Sequence, residues 1–321
     1  MGRTVLSFYC DDTNPYSAPP EAFKAFLDFA SSEGIAGESS VILGYRWAEQ
    51  GLLSRPTTDI QRAFIEQLPR AYACGIDSHC ELLTHGGLYD LRANCVPEGA
   101  IHEGVWTYEP DVSVETYESY FGHIIAEGER IGVRFTGVTW PGCGCDSCAQ
   151  RYQALRERGV TQPNPHIWRA LLNLAKRGGF RGRTVPCFVA SWVEQCAARP
   201  MAIEGEHAVY DLPPTAADRF GLWLNASDKV DADYYITADG RSGRVLDLVR
   251  AGAPYCIFYA HWQGLNPANG VGWDAFRQVV ARTRKHLGDR VVWMRPSEYT
   301  DQLLRERNAM HGLRVSVRGT D

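Results

Sequence analysis

Apolar and polar positions along the chain follow two alternating rhythms. Short apolar runs of the kind that form buried strands are followed by longer stretches whose apolar residues recur every three or four positions, the mark of amphipathic helices. Residues 3–9 read as a buried strand. Pro19-Pro20 then opens a helix whose Phe23, Phe26, Leu27 and Ala30 share one face, and Gly34 ends it. Val41-Ile42-Leu43 reads as a short strand, and residues 57–72 as a helix with Ile60, Phe64, Ile65 and Leu68 inward. An extended stretch from Cys74 to His85 follows and ends on Gly86-Gly87. Residues 90–112 lack a period, and a loop that long is usually functional or mobile. Residues 113–131 carry the clearest helical stripe, with Val114, Tyr117, Phe121, Ile124, Ile125, Gly128 and Ile131 along one side.

Beyond it the pattern predicts a strand at 133–138, helices at 145–158 and 165–178, and a strand at 184–190. After a mixed region at 191–230 come strands at 234–237, 255–260 and 290–294, with helices at 241–251, 272–287 and 297–307 between and after them. A polar tail from about 308 contains a short strand at 313–317. Strand-helix alternation through all 321 residues, with no linker and no repeat, predicts one α/β domain built on a parallel barrel or open sheet. Sites in such folds gather at the carboxyl ends of the strands. Asp11-Asp12, the segment 79–85, Trp140-Pro141-Gly142 and His261-Trp262 all lie just past predicted strands, so they should meet at one rim.

Composition adds exclusions. A net charge of −5 gives no reason to expect nucleic acid or an anionic membrane as partner, and no apolar run approaches the length of a span. The first residues enter a strand directly, without the apolar region of a secretion signal, and the ten cysteines are scattered, with Cys10, Cys187 and Cys256 in apolar runs. Both features point to a cytoplasmic enzyme with reduced, buried thiols. Oligomeric state is not legible in the sequence.

The candidate chemistry lies at that rim. His79, Glu81 and His85 fall within seven residues, and an extended backbone would point all three to one face. With Asp11-Asp12 they offer the carboxylate and imidazole groups that a divalent-metal hydrolase needs. Taken singly, each reads better as a polar residue at a loop entrance; the set argues for a metal. Cys143, Cys145 and Cys148 form a C-x-C-x-x-C cluster that reads as a structural element in preference to a metal site, because a fourth ligand is not evident. Trp47, Trp106, Trp140, Trp192, Trp223 and Trp262 sit at strand ends or in loops, where aromatic faces suit sugar rings, although core packing accounts for most such residues. Trp106, Trp140, Trp262 and Gln263 are the substrate-contact candidates.

In order along the chain, these motifs resemble the polysaccharide deacetylases of the nodulation-protein type. The resemblance implies a distorted, incomplete (β/α) barrel, with Asp11 as base and His261 as general acid. It also implies one divalent ion, zinc first and manganese, nickel or cobalt as alternatives. Asp12, Glu81 and His85 would be its ligands, with His79 in place of or beside Glu81. Glu81 stands where the family has a histidine, and Thr139 where it has its base-orienting arginine, for which Arg46 or Arg295 are possible substitutes. The expected activity is hydrolysis of a C–N amide bond, removing an acyl group from an amino sugar or short oligosaccharide. Two other readings compete. One is a barrel glycoside hydrolase pairing Asp12 or Glu81 with Glu194 or Glu298, which needs carboxylates about 5–9.5 Å apart. The other is a carbohydrate-binding relative without catalysis.

Overall fold

In a computed structural model of the chain, residues 2–44, 51–142, 146–189, 196–221 and 230–317 are described, with 311–317 described for their backbone alone. The first strand, β1 (Thr4–Thr13), is buried along its whole length because both of its faces are covered. Leu6, Phe8 and Cys10 point to a core beneath the outer helices, while Val5 and Tyr9 point inward to a second core with Phe188, Leu212, Tyr255, Ile257 and Tyr299. The apolar run at 3–9 is thus the two-sided pattern of a central parallel strand.

The chain continues through α1 (Pro20–Glu33), β2 (Gly37–Val41), α2 (Asp59–Ile65), β3 (Ile76–Cys80), α3 (Glu103–Trp106), α4 (Val114–Arg130) and β4 (Gly137–Thr139). There follow α5 (Asp146–Glu157), α6 (His166–Lys176), β5 (Thr184–Phe188), β6 (Arg199–Glu204), β7 (His207–Asp211), α7 (Ala232–Tyr235) and α8 (Arg244–Arg250). The last elements are β8 (Tyr255–His261), α9 (Trp262–Leu265), α10 (Gly270–Leu287), β9 (Val291–Trp293) and α11 (Pro296–Val317). The sheet order is β6-β7-β5-β4-β3-β2-β1-β8, and β9 joins β1 at Thr4–Leu6. Among the described residues, these strands all pair in parallel except in the β6–β7 hairpin at one edge.

The sheet curls into a half-barrel. The Tyr9 ring on β1 stacks on Phe188 of β5 at 4.8 Å, although three strands separate them in the sheet. Closure is incomplete: among the described residues, β8 forms no ladder with the segment after β7 beyond the isolated bridge Ala216–Phe258, beside which Thr215 N and Ala216 N both donate to Ile257 O. This is the distorted, incomplete α/β barrel expected from the sequence. Outside it, Phe8 meets Phe26 and Phe276 edge-on at 5.9 and 5.5 Å. Each such fully buried ring contributes about 1.5–3 kcal/mol of transfer free energy.

Several expectations are corrected. β2 is the polar run Gly-Glu-Ser-Ser-Val and not Val41-Ile42-Leu43, because Glu38 and Ser40 face a polar barrel interior. Helix 57–72 stops at Ile65 and continues as two 3₁₀ turns around Pro69, and Ile60 is half exposed. Residues 234–237 do not form a strand, since α7 ends at Tyr235. The mixed region contains the β6–β7 hairpin. Residues 313–317 continue α11.

Candidate functional site

The carboxyl ends of β1, β3 and β8 form the rim that carries the site. β3 ends at Cys80, and Leu82 and His85 then adopt positive φ, +48° and +52°. The ligand candidates are therefore not gathered by one extended run, as the sequence suggests. Strand alternation places His79 and Glu81 on the inner face, and a left-handed turn brings His85 back over Glu81. Asp12 also has positive φ, +63°, which turns it away from the path of Asp11. Among the described residues these three and Asn94 are the only non-glycine positions with positive φ. Such backbone costs about 1–2 kcal/mol per L-residue and persists where surrounding contacts enforce it.

His85 Nε2 lies 3.0 Å from Asp12 Oδ1 and 3.1 Å from Glu81 Oε1. The three residues can offer one ligand atom each within a 4.8 Å cluster. Ligands about 2.0–2.1 Å from a tetrahedral zinc are spaced about 3.3 Å apart, so the donor set and its spacing fit such an ion. The remaining oxygens are tied down. Glu81 Oε2 accepts from Asp12 N and Ser40 Oγ, both at 2.8 Å, and Asp12 Oδ2 accepts from Gln263 Nε2 at 3.0 Å.

Electrostatics make the same demand. Burial pushes Asp12 up, but the hydrogen bond and charge of His85 outweigh it and hold the carboxyl at about 2. Burial favours neutral His85, yet Glu81 and Asp12 hold its imidazolium well above the ordinary range. Burial raises Glu81, and its interaction with His85 opposes that rise. Two buried carboxylates converging on one nitrogen call for positive charge at that point, which a proton or a divalent cation supplies.

Asp11 and His261 are register partners on the adjacent strands β1 and β8, so they stand side by side on the inner face. Burial, then Glu81 and Asp12, raise the Asp11 carboxyl well above its usual range, while a hydrogen bond from Tyr259 lowers it. His261 Nδ1 lies 2.9 Å from Asp218 Oδ2 and its Nε2 lies 3.1 Å from the Tyr259 hydroxyl. Asp218 went unread because it falls in the mixed region, where no period marks it. Tyr259 could have been found, since it precedes His261 by two residues on the same strand face.

His79 lies one rung below Glu81, fully buried, with Nδ1 3.3 Å from Thr139 Oγ1 and 3.6 Å from Glu38 Oε1. Burial lowers it to about 3, and it stands outside the three-residue cluster. Trp106, Trp140 and Trp262 are core residues. Trp262 packs edge-on against Phe23 and Phe26, because the chain turns into α9 directly after His261. Trp106 packs on Tyr117 and Tyr120, and Trp140 packs on Trp168 and donates to Thr107 Oγ1. Gln263 reaches the site, but as a partner of Asp12.

Arg295 does not replace the family's arginine. It lies at the amino end of β3, bonded to Tyr72 O and paired with Glu298, which removes Glu298 from the rim as well. Arg46, Trp47, Glu194, Trp192 and Trp223 lie outside the described residues. Cys148 is disulfide-bonded, contrary to the expectation of reduced thiols throughout, while Cys143 and Cys145 lie outside the described residues. A cavity of about 550 Å³ lies beside the site, lined by Gly87, Val96, Glu98, His102 and Arg151. The His102 ring is 6.4 Å from that of His85. A 630 Å³ cavity at the opposite pole, among Arg134, Arg181, Arg183 and Arg305, is lined by none of the residues of this site.

No helix among the described residues is long and apolar enough to cross a membrane. No protein-family model matches the chain, and no curated protein matches it. Among solved structures it is similar to one described as a "putative polysaccharide deacetylase from Mycobacterium smegmatis", at 13% identity over 96% of this chain and 92% of that one, with a TM-score of 0.48. At that level the likeness carries no argument about activity.

Proposed function

We propose that the protein is a metal-dependent hydrolase of C–N amide bonds, a deacetylase acting on an N-acylated amino sugar or short oligosaccharide. The observation that carries this reading is the convergence of Asp12, Glu81 and His85 on one point, beside Asp11 and His261 in register on neighbouring strands. Zinc is the first choice for the ion, with manganese, nickel or cobalt as alternatives, since a two-carboxylate, one-imidazole set accepts all of them. A divalent ion held there supplies a Lewis acid for an acyl oxygen and lowers the pKa of a water.

The chain's own residues supply the rest. Asp11 is the acceptor for the proton of water, placed beside the cluster as the register partner of His261. His261 gives a proton to the leaving nitrogen. Asp218 engages its Nδ1, fixing the ring and leaving Nε2 as the nitrogen that exchanges protons. Tyr259 stands between the two, bonded to His261 and to Asp11. The cavity beside His85 is the proposed sugar pocket: its size lies in the range of small-molecule sites, about 300–1,000 Å³. Glu98, His102 and Arg151 give it polar groups to orient hydroxyls.

The test is acetate release from N-acetylglucosamine oligomers, before and after a chelator strips the protein and after zinc is returned. Activity should vanish and come back. Full activity in protein shown to be free of metal would sink the reading.

A further inference from the structure

We propose that Glu103 is the positioning residue that holds His85 in its place at the site, resting on the reading of Asp12, Glu81 and His85 as a ligand set. Glu103 begins α3, in the stretch whose sequence shows no period, and it is completely buried. Its Oε2 accepts from Thr84 N at 2.9 Å and His85 N at 3.0 Å, and its Oε1 accepts from Leu83 N at 3.2 Å. The Tyr120 hydroxyl donates to Oε1 as well. Its own backbone N–H donates to Gly86 O at 2.7 Å. One residue therefore grips the turn 83–86 from both sides.

The turn needs such a grip. Three successive N–H groups that point to one place form an anion-binding concavity, and left without an acceptor they would be unsatisfied inside the protein. Leu82 and His85 are in left-handed backbone that neither residue type prefers. Thr84 and Gly44 contribute, through Thr84 Oγ1 to Gly87 O and Gly44 N to Leu83 O, but neither offers an acceptor to the three donors. Glu103 does, with both carboxyl oxygens, and it touches His85 only through the backbone. Its role is therefore to fix where the imidazole starts, and the metal-binding geometry follows from that. Sites of this kind lose function when their supporting shell shifts by about 1 Å.

The test uses the full chain, stripped of metal and titrated with Co²⁺, whose visible absorption reports both affinity and coordination. Wild type should bind stoichiometrically, and His85→Ala should not. Failure of that arm overturns the ligand reading and the proposal with it. In Glu103→Gln the amide group turns a donor toward backbone donors; Co²⁺ affinity should fall at least tenfold and the absorption band should change. Glu103→Asp, which keeps the carboxyl group but retracts it by one methylene, should fall at least threefold and covers the case in which the glutamine variant does not fold. Tyr120→Phe leaves the three backbone bonds in place and should stay within threefold of wild type. Wild-type affinity in a folded Glu103 variant would overturn the proposal alone. So would a loss in Tyr120→Phe equal to that in Glu103→Gln, because the effect would then belong to packing in general.

Discussion

Asp77 offers a quantitative test of how the barrel interior handles charge. It lies on the inner face of β3, fully buried, and accepts from Ser297 N and Ser297 Oγ at the start of α11, each at 2.8 Å. Burial pushes its carboxyl from 3.8 to about 6, against those two hydrogen bonds and the charge of Arg295. Because the folded-state value is raised, the folded protein holds this proton more tightly than the unfolded chain does. The stabilising contribution is complete below the unfolded value and is lost as pH rises through about 6. A shift of about two units is worth about 3 kcal/mol in full, and about 1.4 kcal/mol of it falls between about pH 5 and about pH 7.5. Asp77→Asn keeps the shape, since its amide oxygen accepts from Ser297 N–H and its amide nitrogen donates to Ser297 Oγ. The titration disappears. Urea unfolding at the two pH values should show wild type losing about 1.4 kcal/mol more than the variant on going to the higher pH. Equal losses in the two proteins would refute the assignment and leave the slope to the other buried acids.

Four further outcomes follow from the geometry. Asp11→Asn should retain stoichiometric metal while kcat on an N-acetylated oligosaccharide drops about 100-fold or more, measured by acetate release; unchanged turnover would remove Asp11 as base. Asp218→Asn should lower kcat by about 10- to 100-fold with KM nearly constant, because it acts through His261 and not on the substrate; a change confined to KM would place Asp218 in binding. Trp262→Phe should cost about 1–2 kcal/mol in urea unfolding through lost contacts with Phe23 and Phe26, and leave KM alone; a raised KM would return Trp262 to the substrate. Gly137→Ala should destabilise by about 3 kcal/mol or abolish soluble expression. An added Cβ would sit 2.2 Å from Pro186 O and 2.4 Å from His79 Nε2; near-normal stability would show that the β3–β4–β5 contact can spread.

What the sequence determined by itself was the layered pattern and the order of the chemistry. The doubly buried run of β1, the stripe of α4 and the strand-helix alternation made an α/β barrel legible, because burial on two faces or on one stripe writes a local period into the residues. Asp11-Asp12, Glu81, His85 and His261 were legible as polar groups near strand ends, although Asp11, Asp12 and His261 lie within the last residues of β1 and β8 and not past them. β2 was not, because its side chains face a polar interior and so break the rule that a buried strand is apolar. Only the tertiary structure decided between His79 and Glu81 for the cluster, since one register position separates a rim residue from one buried below it. It alone brought Asp218 to His261 across 43 residues and Glu103 to the 83–85 turn across 18–20. It also turned Trp106, Trp140 and Trp262 into the core. Contacts of that kind depend on where the backbone bends and which strands become neighbours, and those choices are made by the packing of the whole chain, where no local period records them.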